Sequence, residues 1–278
     1  MTESWWRLTI TADPARTDAI AALVVAVTGN GVEETAESVV ATTLETRPLA
    51  EALVARLEAE FAGTSVTMTA TEPVDWATQW RDGIATHRFG RLILTPSWLP
   101  VAAGDAEIVV TIDPESAFGS GEHGSTRGAL ALLERHLRRG DRVLDFGSGS
   151  GVLAIAAVRL GARSAIGIEV DEQSNGIAEA NACRNGVTSQ VSFITGDANA
   201  IAPLAGPAEL ICSNILRTVN TALLPVIGRT LAPGGVVLFA GMEEPEEPLF
   251  APVLAQHGFQ VIDVVRDAHW WSVAARRQ

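Results

Sequence analysis

The sequence predicts an α/β protein in which a doubly wound, seven-stranded sheet follows a small α+β module. Three observations carry that expectation. From Arg142 onward, short apolar runs alternate with helical patterns; a glycine turn, DFGSGSG, joins the first run to the first helix; and the first 70 residues go twice through a strand-helix-strand cycle.

Residues 4–11 alternate like a strand, and ADPARTDAIAALVVAVTGNG carries a helix with Asp13 or Pro14 at its start and Gly29 or Gly31 at its end. GVEETAESVVATTL reads as strand material. RPLAEALVARLEAEFAG is an amphipathic helix opened by Pro48 and closed by Gly63, and TSVTMTAT alternates as a strand. This order suggests a ferredoxin-like sandwich over residues 1–70. Residues 71–112 change character: WATQWRDG, RLILTPSW and AEIVVTID stand among prolines and glycines, as a linker plus extra strands. Residues 113–278 form the main domain, with strands at RVLDF, SAIGIEV, QVSFIT, AELICSN, GVVLFAG, FQVIDVVR and WWSVAAR, the last two as a closing antiparallel hairpin. Between them, helices run to Leu160, Cys183, Leu231 and His257. EEPEE, Glu243 to Glu247, reads as a solvated helix start, with acids favourable at the dipole.

The chain has 278 residues, 47% of them apolar, enough for two domains with their own cores. Cys183 and Cys212 are too few for a disulfide framework and too far apart for a zinc pair, so no metal and a reducing, cytoplasmic home are expected. The opening MTESWWR carries no basic run, so no leader is expected. The best apolar stretch, Ala19 to Val27, falls far short of the roughly 20 residues that span a bilayer, and is expected to be a core helix. A formal net charge of −13 disfavours a nucleic-acid footprint and favours a neutral or basic partner. All 20 basic residues are arginine. Residues 1–70 hold ten acids against four arginines, so the amino-terminal module is itself acidic. A monomer is expected.

In an open α/β sheet the ligand lies at the carboxyl ends of the strands, where the first strand-to-helix turn brings backbone to it. A dinucleotide fold places its third glycine or alanine three residues after the second, which here is Val152. The glycines stand instead at Gly147, Gly149 and Gly151, with Asp145 two residues before the first. That is the pattern of S-adenosylmethionine enzymes, in which a carboxylate near the amino-acid part of the cofactor replaces a phosphate cradle. Glu169 ends the next strand, where a carboxylate can accept from both ribose hydroxyls. Asp197, in GDA after the third strand, is placed to accept the adenine amino group, with a solvated loop acid as the alternative.

A second glycine loop, FGSGEHGST from Phe118 to Thr126, matches the dinucleotide spacing by letter, yet no strand leads directly into it. Ser125 or Thr126 would cap the following helix, whose positive end suits the cofactor carboxylate. His123 is the titratable base nearby, with an ordinary structural role as the simpler reading.

Over nearly its whole length the sequence resembles the methyltransferases of large-ribosomal-subunit protein eleven. The matching stretches are FGSGEHGST, DFGSGSGVLAIAA, GIEVD, CRNGV and SNIL at Ser213 to Leu216, with DWATQWRDG and PSW resembling the family's connector. Serines stand at 120 and 125 where threonines are usual, and Gly124 where a proline is common; the arginine in NILRTV is less usual. Carried over by position, the resemblance implies Thr126, Gly147, Glu169 and Asn214 as cofactor contacts. It also implies a seven-stranded methyltransferase sheet, S-adenosylmethionine as cofactor, and methylation of lysine side chains and the α-amine of a small basic ribosomal protein. Methyl transfer from a sulfonium is an in-line displacement needing alignment and exclusion of water. Asn214 at its strand end would then orient the attacking amine. The alternatives are a same-fold methyltransferase for another protein or a small molecule, and a cofactor-binding module without chemistry.

Overall fold

The computed structural model describes residues 5–28, 32–35, 39–71 and 80–278. Gly29 and Gly31, expected to end the first helix, and residues 75–79 of the connector motif lie outside the described residues. The chain divides into two compact units, Met1–Asp82 and Gly83–Gln278.

The first unit runs β1 (Trp5–Thr11), α1 (Thr17–Thr28), β2 (Glu33–Thr35), β3 (Val39–Leu44), α2 (Arg47–Glu60) and β4 (Ser65–Thr71). Its strands take the order β2-β3-β1-β4 with every neighbouring pair antiparallel, which is the ferredoxin-like arrangement. Period-2 alternation turns Leu8 and Ile10 of β1 inward, and spacings of three and four bring Ala50, Leu53 and Leu57 of α2 onto the same core. The Asp13 carboxylate accepts the Ala15 N–H at 2.9 Å, which caps a 3-10 turn at Pro14–Arg16; α1 begins only after it. The apolar run expected as a core helix packs through one face: Ile20 and Val24 are inside, and Val25 and Val27 are exposed.

The second unit begins with β5 (His87–Phe89), β6 (Leu92–Thr95) and β7 (Ile108–Thr111), a separate three-stranded sheet. These extra strands are part of this unit's core, since Leu92, Leu94 and Val110 pack with the helices that follow. Next come α3 (Gly124–His136), β8 (Arg142–Phe146), α4 (Val152–Leu160), β9 (Ser164–Glu169), α5 (Glu172–Arg184), β10 (Val191–Thr195), α6 (Ala198–Ala205), β11 (Ala208–Asn214), α7 (Arg217–Thr230), β12 (Leu231–Glu243), α8 (Glu247–Gln256), β13 (Phe259–Asp267) and β14 (Trp270–Arg277).

The large sheet has the order β10-β9-β8-β11-β12-β14-β13, with the first five strands parallel and the terminal hairpin antiparallel. Alternation along β8 sends Val143 to one core and Leu144 and Phe146 to the other, so both faces are covered by helices. Burying an aromatic such as Phe146 contributes about 1.5–3 kcal/mol. Two elements differ from expectation. The helix α6 went unrecognised because it is eight residues long and carries Pro203, too short for a period to show. β12 starts four residues earlier than its apolar run. The acids of EEPEE do open a helix: Glu243 and Glu246 form a capping box around a 3-10 turn that leads into α8. Both cysteines are free, Cys183 exposed and Cys212 buried.

Candidate functional site

The strand order reverses between β8 and β11: the chain leaves β8 toward β9 on one side and returns to β11 on the other. A crevice opens at the carboxyl ends of these two strands, where doubly wound sheets bind ligands. A cavity of about 650 Å³ occupies it, and every residue lining it lies between Phe118 and Trp270.

The glycine turn forms its floor. Gly147, Gly149 and Gly151 all have positive φ, at 70°, 50° and 79°. Gly149 is required for a reason the sequence does not show: a Cβ there would stand 2.5 Å from the carbonyl oxygen of Phe118. The loop 118–123 crosses the turn at this point and is fastened to it. Ser150 donates its N–H to the Phe118 carbonyl at 2.8 Å and its hydroxyl to the Gly119 carbonyl at 3.0 Å. From α5, the buried Asn181 amide donates to the Ser150 carbonyl at 3.0 Å and to the Asp113 carbonyl at 3.1 Å.

Glu169 lines the cavity at the end of β9. Its carboxylate accepts the Gly149 N–H at 3.1 Å on Oε2, and the Val170 and Asp171 N–H groups at 2.8 and 3.1 Å on Oε1. Asp197 also lines it, as the N-cap of α6, accepting the Asn199 N–H at 2.8 Å. Asn214 faces the cavity from the end of β11. Its Nδ2 donates to Thr126 Oγ1 at 3.3 Å, while its Oδ1 is buried with no partner in the protein. Asn220 of α7 holds the backbone around it: the side chain donates to the Ile215 and Ala240 carbonyls and accepts the Ser213 hydroxyl at 2.6 Å.

Of the expected residues, Gly147, Gly149, Glu169, Asp197 and Asn214 line the cavity. Thr126, Asp145 and Gly151 stand behind its wall: Thr126 supports Asn214, and a Cβ on Gly151 would meet the Phe193 ring at 2.6 Å. Ser125 and Thr126 are not caps. The N-cap of α3 is His123, without a side-chain cap bond, and both hydroxyl residues are fully buried in the first turn, where neighbouring side chains use their oxygens.

The other wall is aromatic. His123 lies between Trp270, with ring centroids 4.0 Å apart, and Phe118, at 5.0 Å edge-on; its Nδ1 is 2.6 Å from Ser125 Oγ. Burial, with nearby His269 and Arg127, lowers its pKa and favours the neutral ring. Phe118, Leu216 and Val219 are exposed at the mouth. Sequence reasoning missed Asn181, Asn220, Phe118 and Trp270 as site residues. The two asparagines had a signal, since each is a polar residue at an apolar-spaced position on the buried face of its helix.

Asp145 is fully buried, with Oδ2 accepting the Ala154 N–H at 3.1 Å and Oδ1 unpartnered. Burial raises its pKa to about 7, against the pull of the Ala154 bond and with a contribution from Glu169. The folded pKa lies above the unfolded one, so the native state holds the extra proton. Stability from this group is full below about pH 4 and is lost as pH rises through about 7, at ~1.4 kcal/mol per pH unit at most. Asp145→Asn is therefore expected to lose less stability than the parent between pH 5 and 8. Parallel urea-unfolding energies for the two proteins over that range would refute the shift.

The family model described as ribosomal protein L11 methyltransferase (PrmA) matches residues 4–278. A ribosomal protein L11 methyltransferase of Pelotomaculum thermopropionicum is 38% identical over 226 residues, 81% of this chain and 72% of that protein. One from Thermus thermophilus is 38% identical over 203 residues, covering 73% and 78%. The crystal structure of a ribosomal protein L11 methylase from Lactobacillus delbrueckii subsp. bulgaricus aligns with TM-score 0.62 and 29% identity, over 69% of this chain and 98% of that one. With a family match spanning nearly the whole length and a methyltransferase sheet carrying the glycine turn at its switch point, the chain belongs to the ribosomal protein L11 methyltransferase family.

Proposed function

We propose that this protein transfers methyl groups from S-adenosylmethionine to amino groups, lysine side chains and the α-amine, of ribosomal protein L11. The observation that carries the reading is Asn214 Oδ1, a buried acceptor without a partner on the wall of a cavity floored by the glycine turn. An acceptor held in that state awaits a donor from a ligand. The cavity's acceptors fit the cofactor: Glu169 and Asp197 offer carboxylate oxygens at the ends of β9 and β10, and an amino-acid moiety fits beside the backbone of Gly147 and Gly149. When bound, the cofactor supplies an electrophilic methyl on a sulfonium.

The remaining work belongs to the chain. An amine attacks only when neutral, although a lysine starts near pKa ~10.4, and burial lowers that value. Asn214 Oδ1 accepts one amine hydrogen and aims the lone pair. Phe118 and Trp270 line the acceptor wall against water, and burial keeps the His123 ring between them neutral. The acidic chain, with a sequence pI of about 4.8, suits a basic protein substrate. In this reading residues 1–70 catch that substrate, residues 71–112 connect and brace, and residues 113–278 hold the cofactor. The protein works as a cytoplasmic monomer without nucleic acid or membrane; among the described residues, no helix is long and apolar enough to cross a bilayer.

The test is transfer of labelled methyl groups to purified ribosomal protein L11. Label on its amino groups is expected, and label confined to small molecules would overturn the reading. Asn214→Ala is expected to lower kcat by about 100-fold, in the range of a lost transition-state donor or acceptor, with cofactor affinity by calorimetry nearly unchanged.

A further inference from the structure

Two rim segments distant in sequence meet at one guanidinium. Arg127, in the second turn of α3, binds Asp267 in a two-point ion pair: Nε to Oδ2 at 2.6 Å and Nη2 to Oδ1 at 2.9 Å. Its remaining nitrogen, Nη1, donates to the Glu122 carbonyl and, at 3.5 Å, reaches that of Gly121. Asp267 closes β13, and Ala268 beyond it turns the chain with φ at 53° toward Trp270. Glu122 precedes His123. Its side chain is held from the opposite side, Oε1 accepting the Ala85 N–H and pairing with His87 Nε2, each at 2.7 Å. The fit between the two segments is close: a Cβ on Gly124 would stand 2.6 Å from Trp270 Cδ1 and 3.0 Å from the Asp267 carbonyl oxygen.

We infer that Arg127 is a positioning residue for the acceptor side of the cavity. Through Asp267 it sets the approach of Trp270, and through the Glu122 carbonyl it sets His123, so one side chain fixes the gap that admits the amine. This rests on the reading of the aromatic wall as the acceptor side. Arg127 is not among the residues lining the cavity, and its hydrogen bonds go to Asp267, Glu122 and Gly121 and not to the glycine turn, Glu169 or Asp197, so cofactor affinity should be nearly indifferent to it. A planar two-point bond with a third donation is a geometry lysine does not reproduce.

The experiment is a kinetic cycle on the full chain, with Arg127→Ala, Arg127→Lys, Trp270→Ala and the double variant Arg127→Ala/Trp270→Ala. Misplacing a reacting partner by about 1 Å costs up to ~100-fold, so Arg127→Ala is expected to lower kcat/KM for the protein acceptor by about ten- to 100-fold. Cofactor Kd by calorimetry should stay within about twofold, a split that a general loss of structure would not give. Arg127→Lys should recover little. In the Trp270→Ala background the further loss on removing Arg127 should shrink to a fraction of its size in the parent. An equal loss in both backgrounds, or a cofactor Kd that rises with the loss in transfer, overturns the inference. Full transfer by Arg127→Ala alongside a crippled Trp270→Ala also overturns it while leaving the acceptor-wall reading intact. Full transfer by Trp270→Ala instead removes the acceptor-wall reading itself.

Discussion

A Gly149→Val variant is expected to lose cofactor binding by more than about 100-fold, some 2.7 kcal/mol, and methyl transfer with it. Two effects act at one position. With φ at 50° the residue sits in the left-handed region, which a β-branched side chain occupies at a cost of about 1–3 kcal/mol. Its Cβ would also lie 2.5 Å from the Phe118 carbonyl oxygen, a backbone atom that cannot rotate away and is held at 2.8 Å by the Ser150 N–H. Either the turn or the loop above it must move, and both line the cavity. The cores above and below the sheet contain neither Gly149 nor Phe118, so the unit should still fold. Gly149→Ala provides a milder second case, and Gly176→Ala, at a helical position with nothing within 4 Å of the added Cβ, is the control that should bind normally. Calorimetry decides the matter: near-parental affinity in a folded Gly149→Val would mean that this turn is not the cofactor's platform.

The glycines were readable in the sequence, but the physical reason for one of them was not. Spacing alone identifies the turn after β8, but it does not reveal that the space beside Gly149 is taken by the Phe118 carbonyl. The contrast is general here. Central strands such as β8 and β11 are visible because runs buried on both faces are apolar almost continuously, and α4 is visible because eight of its nine residues are buried. What escaped was either short, such as α6, or built from contacts across long stretches of chain. Asn214 meets Thr126 across 88 positions, and Arg127 meets Asp267 across 140. No local period records such meetings. Of the extra strands, β6 and β7 stand out in the runs RLILTPSW and AEIVVTID while the three-residue β5 does not, and their membership in the second unit's core depends on packing against α3 and α4. Caps failed for a related reason: Ser125 and Thr126 are good cap residues by type, yet their oxygens are engaged by His123 and Asn214.

Removing residues 1–82 should separate cofactor binding from recognition of the substrate. Each unit has its own core. The first is built from residues between Trp6 and Met68, the others from residues between Phe89 and Ala275, and none is shared. The cavity is lined wholly from within the second unit, so the shortened chain should bind S-adenosylmethionine with nearly parental affinity. Transfer to ribosomal protein L11 should fall by about 100-fold or more, because tethering the substrate by a second contact raises its effective concentration at the site by such factors. In the full chain the same step should weaken between low and physiological salt. The chain carries a formal charge of −13, the resemblance implies a basic substrate, and screening over about 8–10 Å acts on that attraction. The truncated enzyme, having lost the thirteen acids and five arginines of residues 1–82, should show a flatter salt response. Steady-state transfer to folded substrate at two ionic strengths, with calorimetry on both chains, makes the comparison. Equal transfer by the two chains would show that recognition lies within residues 83–278. Loss of cofactor affinity on truncation would instead show that the second unit depends on the first for its fold, contrary to the separation of their cores.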